Sequence, residues 1–456
     1  MNNVLLKDVC FVKGGKRIPL GLSTTNENTG YRYMRLADCG NRKPDISSVP
    51  FIDKSIYEKL KNYKVNKGDV YLSVVGTIGI CGIIPYELDG VILTENANKL
   101  VIKNKDILNN EFLYYLLSSS TGQKLMRKGI VGSIQPKLPI YNIELFEFNL
   151  PGIITQQKIA TILSALDSKI EINNGINAEL EAMAKTLYDY WFVQFDFPDK
   201  NSKPYKTSGG KMIWNEELKR EIPEGWDVAK MADWILTDKS GDWGKEELEG
   251  NFTKKVTCIR GADINGLNGL AELKPPVRYI LEKNSSKILN SHDLIIEISG
   301  GSPVQSTGRI AFITDSTIKR FENPLICSNF CKPISIKNKK LLYNFVYYWK
   351  SLYDAGIFFG YEGKTSGIKN LLFDSFVNSY YTVVPDDKIV DKFYNIMENI
   401  QEKKQTTLAE NQQLSELRDW LLPMLMNGQV TVGDSAENKA SYKIEEEMRM
   451  AAEPGE

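Results

Sequence analysis

Apolar and polar positions along this chain of 456 residues follow two regimes, a three-four heptad spacing in two long stretches and shorter, strand-like runs between them. From Gln156 to Trp191, the positions Ile159, Leu163, Leu166, Ile170, Asn173, Asn177, Leu180, Ala184 and Leu187 step by four and three, the seam of a coiled coil. A shift of 234 turns them into Phe393, Met397, Ile400, Lys404, Thr407, Asn411, Leu414, Arg418 and Leu421, and carries Lys158 and Lys169 onto Lys392 and Lys403. Both stretches therefore predict long helices with apolar outer turns and a polar middle. Asn177 and Asn411 either sit in the seam, fixing register at a cost in stability, or face solvent. A helix of about 36 residues runs ~54 Å at 1.5 Å per residue, longer than the roughly 34 Å of one turn of duplex DNA.

The stretches between the helices match in order as well. Arg35-Leu36-Ala37-Asp38 corresponds to Arg260-Gly261-Ala262-Asp263, and Gly68-Asp69 through Ser73 to His292-Asp293 through Glu297. Glu95 through Lys99 matches Ser328 through Lys332, and Ser133-Ile134-Gln135 matches Gly367-Ile368-Lys369, again 234 apart. Each unit mixes short strands with helical patterns at Asn110 to Leu117 or Leu341 to Tyr353, so the fold class is α/β, in the sense of mixed α+β. A repeat of this length is a duplicated domain rather than a solenoid. The expected division is a first globular domain over 1–152, a central helix over 153–195, a linker over 196–222, a second globular domain over 223–385, a second long helix over 386–430 and an acidic, disordered tail over 431–456. The rings Tyr188, Tyr190, Trp191, Phe192, Phe195 and Phe197 at the end of the first helix read as the cap of a core, with a partner-docking patch as the rival. Two similar units with paired helices suggest a ruler reading two separated sites.

Charge changes this picture only in its distribution. The chain holds 57 basic and 57 acidic residues. Residues 1–150, however, carry 20 against 14, and 386–456 carry 8 against 15. The first unit is thus basic, which permits nucleic acid as a partner. No stretch approaches the roughly 18 apolar residues of a membrane span, and the six scattered cysteines fit a reducing compartment; the expected location is the cytoplasm. With His292 the lone histidine, and Cys327 and Cys331 the only close cysteine pair, no metal site is expected and no Ser-His-Asp set is supported. Gly360 to Thr365 mimics a phosphate loop, but Phe358 stands where that motif needs glycine. Pro275-Pro276 lacks the Asn/Asp-Pro-Pro-aromatic signature of amino-methyltransferases, and Glu402 and Lys404 near Pro385-Asp386 lie on a heptad helix where charge usually means solvation.

Gln156-Gln157-Lys158-Ile159-Ala160 through Asn177-Ala178-Glu179-Leu180-Glu181 to Trp191-Phe192 is the first of three telling runs. The second is Phe195-Asp196-Phe197-Pro198 with Ser208 through Met212 and Ile222-Pro223-Glu224-Gly225-Trp226; the third is the Gly68-Asp69 strand with Gly76 and Gly79. With these runs the chain, to about Gly433, resembles the specificity subunit of type I restriction-modification systems. The resemblance implies two tandem target-recognition domains, each reading one half of a split DNA sequence, with helices in an antiparallel coiled coil, related by a pseudo-twofold repeat, that fixes the spacer. It implies as partners double-stranded DNA, two methyltransferase subunits and restriction subunits, and a non-catalytic role in host defence against foreign DNA. S-adenosylmethionine, ATP and Mg would belong to those partners, leaving this chain without a cofactor. His292 in place of Gly68 departs from the pattern.

Bases are read by hydrogen bonds to their edges, while phosphate contacts position the protein. Exposed Arg, Lys, Gln and Asn on loops are the natural readers. The candidates are Lys13, Lys16 and Arg17 around Gly14-Gly15, Arg32, Arg35, Gln135 and Lys137 in the first unit, and Gln305, Arg309, Lys364, Lys369 and Asn370 in the second. For any one of them a solvated surface charge is the commoner role. Gly14-Gly15 would let backbone approach a phosphate. The alternatives are a self-contained DNA methyltransferase or nuclease, which the missing motifs disfavour, and a coiled-coil scaffold for protein ligands.

Overall fold

A computed structural model describes residues 2–430 and Val432, apart from Pro303 and Ser366; the tail expected over 431–456 lies, Val432 excepted, outside the described residues. The chain packs into two compact units. One runs from the amino terminus to Lys169 and is joined by the chain from Gln413 onward; the other is 170–412. The division cuts both long helices through their middles instead of at their ends.

In the first unit the central element is the strand Val70–Ser73, buried along its whole length. Side chains alternate across a strand. Val70 and Leu72 accordingly enter one core with Phe112 and Leu113 of the helix Asn110–Ser118, while Tyr71 enters another with Met34, Ile84 and Leu93. This strand pairs antiparallel with Cys81–Ile83 and Ala97–Ile102, and Ala97–Ile102 pairs with Cys10–Gly14, giving a four-stranded sheet. A small ladder of Asn2–Leu5 with Glu147–Leu150 closes the unit.

The second unit repeats the plan. Its sheet orders Ile235–Asp238, Cys331–Ile336, Leu294–Glu297 and Ile310–Phe312, and its ladder joins Asp227–Lys230 to Tyr381–Val384. Leu294 and Ile296 face one core, and Ile295 the other. Two additions are its own: the strand Val277–Leu281 against Phe252–Ile259, and a three-stranded sheet of Ser299–Gly300, Ile368–Leu371 and Glu362–Thr365.

Shared corners explain the matched motifs. The Arg35 guanidinium donates from Nε and Nη2 to Asp38 at 3.0 and 2.7 Å, and Asp38 also accepts the Arg35 backbone N–H. Arg260 and Asp263 repeat this at 2.8 and 3.0 Å, again with the backbone N–H of the arginine. Asp69 accepts from the Asn66 N–H as Asp293 does from Asn290. Gly68 has φ +84° and His292 φ +74°. The departure at His292 is thus a side chain placed in a left-handed turn, where its ring meets the Tyr394 hydroxyl at 3.1 Å.

The central helix runs Ile153–Tyr188 and ends in one π turn, Asp189–Val193; the C-terminal helix runs Asp387–Met426. In the first unit Ile159 and Leu163 share a core with Leu425 and Met426, and Asp167 accepts from Arg418 at 2.8 Å. Gln156, fully buried, anchors the helix start by donating to the Ile107 and Pro151 carbonyls and accepting from the Asn109 N–H. In the second unit Asn173 Nδ2 donates to Asn411 Oδ1 and Glu410 Oε2, both at 2.8 Å, Asn411 donates to Asn174, Thr407 donates to Asn177, and Lys404 reaches Glu181. Partners on one helix rise in number as those on the other fall, so the helices are antiparallel within each unit.

Asn173, Asn177 and Asn411 are buried, so the polar middle belongs to the seam. The apolar seam residues divide. Phe393 and Met397 are buried, with Leu187 and Ile400 packed against their core, and Leu421 packs on the core of the first unit. Leu166, Ile170, Leu180 and Leu414 are half-buried. Asp167 and Tyr188 occupy the buried positions next to Leu166 and Leu187, the drift of a 3.6-residue helix against a 3.5-residue repeat.

The segment 196–222 is not a loose tether. Phe197 stacks on Tyr205 and Trp226 at 4.7 and 4.8 Å, Asp196 accepts from the Thr207 N–H and hydroxyl, and Met212–Asn215 pairs with Arg220–Pro223. The aromatic cluster holds it in place: Tyr188, Trp191, Phe192, Phe195 and Phe197 are buried with Trp226, whereas Tyr190 is exposed.

Glu181 sits between two ammonium groups, Lys350 at 2.7 Å and Lys404. Burial works to raise its carboxyl pKa, but the two lysines outweigh it and hold the value at about 2. Burial lowers that of Lys404, with Glu181 opposing. Because an unfolded glutamate titrates near ~4.3, the contribution of ionised Glu181 is complete above that value and is lost as pH falls from there toward about 2. Glu181→Gln is expected to cost about 3 kcal/mol at neutral pH, since it strands two lysines, and to flatten the stability profile in acid. Urea midpoints measured from neutral to acid pH check this; a variant with the parent's slope would refute it.

Candidate nucleic-acid interface

Three backbone segments converge at one end of the first unit's sheet. The strand Cys10–Gly14 ends opposite Asn98, Val70–Ser73 ends opposite Ala97, and Val74 N–H bonds the Asn96 carbonyl. Beside them, Val131 and Lys137 exchange two backbone hydrogen bonds of 2.9 and 3.0 Å, closing a tight loop whose Lys137 also bridges Val75. Ile140, just beyond that loop, would lie 3.8 Å from a Cβ on Gly14. Lys13, Lys16, Gln135 and Lys137 are all exposed here. The structure thus brings together the two groups that the sequence left 120 residues apart.

Gly15 plays a different part from the one expected. A Cβ there would lie 2.0 Å from the Thr94 carbonyl oxygen and 2.4 Å from that of Leu93. The glycine is needed where chain packs on chain. Gly15 and Lys16 donate backbone N–H groups to Ala97 and Leu93, fastening the loop to the sheet.

The other candidates of the first unit are tied down to different degrees. Arg17 is largely exposed but pairs with Glu95 at 2.5 Å. Arg32 is structural: it donates to the Ile46 and Val49 carbonyls at 3.0 and 2.9 Å and lies 4.4 Å over the Phe51 ring. Arg35 spends its guanidinium on Asp38 and the Ser48 carbonyl. Neither offers a free fork to a base.

In the second unit the candidates are tied down more fully. Arg309 is locked bidentate on Glu297, donating at 2.8 and 2.6 Å, and its hydrogen bonds to that carboxylate raise the guanidinium pKa above its ordinary value. Lys369 is buried, 3.0 Å from Glu362 and bonded to the Gln305 carbonyl. Asn370 accepts from the Ser299 hydroxyl at 2.7 Å inside the added sheet. Gln305 alone of this group is exposed, and the side chain of Lys364 lies outside the described residues. Charged loop residues found carboxylates within their own domain.

Backbone register finds the segment that sequence matching missed. A Cβ on Gly241 would lie 2.0 Å from the Ser328 carbonyl oxygen, and Asp242 N–H bonds the Cys327 carbonyl at 2.8 Å, as Lys16 bonds Leu93. Gly241 is therefore the counterpart of Gly15, which aligns Lys239 with Lys13, Asp242 with Lys16 and Trp243 with Arg17. Asp242 accepts from Asn284 at 2.6 Å, and Trp243, partly exposed, carries the Arg278 guanidinium 4.5 Å over its ring. One plan thus presents two chemically different surfaces.

Catalytic features are sparse. Among the described residues no three His, Cys, Asp or Glu side chains gather as a metal group, and no helix is long and apolar enough to cross a membrane. All six cysteines are buried, and burial pushes the thiols of Cys10, Cys39, Cys258 and Cys331 up to about 12.

The chain thus holds two tandem α/β modules of one topology, each with loops at one sheet end and each joined to an antiparallel helix pair. Residues 1–182 match the type I restriction modification DNA specificity domain. Over 371 residues the chain is 26% identical to the type I restriction enzyme MjaIX specificity subunit of Methanocaldococcus jannaschii, covering 80% of this chain and 78% of that one. Over 414 residues it is 24% identical to the HindI specificity subunit of Haemophilus influenzae, covering 80% and 87%. A crystal structure of the type I restriction-modification S subunit from M. genitalium shares the fold with a TM-score of 0.55 at 15% identity, covering 93% of this chain and 96% of that one. Residues 1–182 thus carry the type I restriction modification DNA specificity domain, and the chain as a whole is similar to the specificity subunits of type I restriction enzymes.

Gly15→Ala and Gly241→Ala are each expected to lower stability by at least ~2 kcal/mol, since neither carbonyl can retreat without opening the turn it closes, Thr94 with the Ala97 N–H and Ser328 with the Cys331 N–H. Gly14→Ala, whose Cβ would lie 3.6 Å from the Asn98 side chain, should cost under about 1 kcal/mol. Thermal unfolding of the three variants distinguishes them; equal effects at Gly14 and Gly15 would contradict the packing role.

Proposed function

We propose that each module reads one half of a bipartite duplex DNA target through the loops at its sheet end. In the first module Lys13, Lys16, Lys137 and Arg17 would contact phosphate, and Gln135 a base edge. In the second, Gln305, Lys239 and Trp243 stand on the corresponding edge, with Lys364 a further candidate from the hairpin there. The observation that carries this reading is the convergence of Lys13–Arg17 with the Val131–Lys137 loop around Gly14. An exposed, basic cluster on ordered loops suits positioning on a phosphate backbone.

The antiparallel helices would set the spacer between the half-sites and dock two methyltransferase subunits and, where present, restriction subunits. S-adenosylmethionine, ATP and Mg would act in those partners, with none bound by this chain. Such an assembly works on DNA in the cytoplasm.

Replacing Lys13, Lys16 and Lys137 together by alanine should weaken DNA binding across sequences and reduce the slope of log affinity against log salt by roughly 1 for each phosphate no longer neutralised. Gel shifts of the assembled complex over a salt series measure it; an unchanged slope would remove these residues from the interface. Separately, deleting one heptad from each long helix should shorten the spacer in the methylated target, as read by methylation mapping. A variant that still methylates DNA with the parental spacer would defeat the ruler role while leaving DNA recognition intact.

A further inference from the structure

Backbone hydrogen bonds at the sheet end align the two modules residue by residue. Val74 N–H bonds the Asn96 carbonyl as Ile298 N–H bonds that of Phe330, and Leu138 N–H bonds the Val74 carbonyl as Leu371 N–H bonds that of Ile298. Phe330 therefore stands where Asn96 does. Ile368, three residues before Leu371, stands where Gln135 stands before Leu138. Both pairings lie one residue from the matches read in the sequence. Trp243 aligns with Arg17 through the Gly15 and Gly241 approaches. The exchange runs one way: Arg17, Asn96 and Gln135 give place to Trp243, Phe330 and Ile368, which keep 39%, 53% and 41% of their surface open to solvent. A lone exposed apolar residue needs no explanation. Three of them, at aligned places of one sheet end where the first module carries polar groups, mark a surface with a task.

We propose that Trp243, Phe330 and Ile368 form an apolar face with which the second module reads thymine, by contact with C5-methyl groups in the major groove of its half-site. That methyl distinguishes thymine from the other bases there, and apolar side chains, phenylalanine among them, are its partners. DNA is the occupant because these positions continue the same edge on which the first module sets Arg17 and Gln135. Each of the three is held by its backbone. Phe330 accepts from the Ile298 and Ser299 N–H groups at 2.9 and 3.2 Å, Ile368 pairs with Thr365 across a hairpin, and Lys245 and Tyr279 exchange two bonds of 2.9 Å just past Trp243. The exposed Gln305 stands near them, its carbonyl bonded by Lys369 from the strand that Ile368 begins, and supplies a hydrogen-bonding group at the same end. The two modules thus read by different chemistry, the first by polar groups and the second by methyl contact. This proposal rests on the DNA-reading role given above.

The test uses the full chain assembled with its methyltransferase subunits, in gel shifts at fixed salt on duplexes carrying the target found by methylation mapping. Each thymine is replaced in turn by deoxyuridine, which deletes the methyl and leaves base pairing intact. Binding by the parent complex should weaken about fourfold for each methyl that the second module buries. Phe330→Ala and Ile368→Ala should each weaken binding to the thymine duplex and erase the response to deoxyuridine at one position, both positions lying in the same half-site, because a contact can be lost only once. Both side chains face solvent, so thermal midpoints should match the parent, and the deoxyuridine series on the parent needs no variant. Target-specific binding that no deoxyuridine weakens, or a deoxyuridine response that persists undiminished in both variants, overturns methyl reading. Variants that fail only to assemble with the methyltransferase subunits would assign the face to a protein and overturn it equally. Absence of target-specific binding by the parent complex overturns the recognition role itself.

Discussion

The seam between the two antiparallel helices is the constraint on which this structure turns. Its ends are apolar, and its middle is a run of buried amides, a hydroxyl and an ion pair: Asn173 with Asn411, Asn177 with Thr407, Glu181 with Lys404. A neutral hydrogen bond is worth about 1 kcal/mol net, whereas a buried atom without a partner costs about 1–3. Asn173 Oδ1 and Asn177 Nδ2 find none among the described residues, so the middle adds little stability. It does specify alignment, because sliding either helix by a turn would set amides against leucines and strand them all. The repeat enters here directly: the offset that carries Asn173 to Thr407 carries Asn177 to Asn411, so the two clasps are one pair seen twice.

The same economy governs the modules. An arginine folded back on an aspartate three residues later, an aspartate capping the turn before the central strand, and a glycine pressed on a carbonyl recur in both. Where Ser73 closes its turn through the Thr77 carbonyl and Ile80 N–H, Glu297 uses the Arg309 guanidinium. Different chemistry closes the same bend. The scaffold is preserved by geometry while its outward side chains drift, as the exchange of Lys16 for Asp242 shows.

Much of this could be read from residues alone. Heptad spacing located both helices, and the ordered matches at Arg35, Gly68 and Ser133 revealed one topology used twice. What could not be read was which charges were already taken. Glu297 lies twelve residues before Arg309, and Glu362 seven before Lys369; only the folded turn and hairpin show that each pair is closed. Arg32 and Arg35 are tied in the same way, since their acceptors are backbone carbonyls or a carboxylate fixed by the fold. Composition marked 196–222 as a linker without showing that Phe197, Tyr205 and Trp226 stack across it. The stretch around Gly241 escaped because only backbone register, not side-chain identity, links it to Gly15.

That glycine pair has an evolutionary corollary. By welding the root of each edge loop to its sheet, Gly15 and Gly241 separate the fate of the loop's tip from that of the domain beneath it. Mutational drift, insertion or exchange beyond the weld can remake what the tip touches without reaching the core. Novel preferences could then arise in one module while its neighbour keeps its own, so that new pairings of half-sites emerge by substitution on a single side.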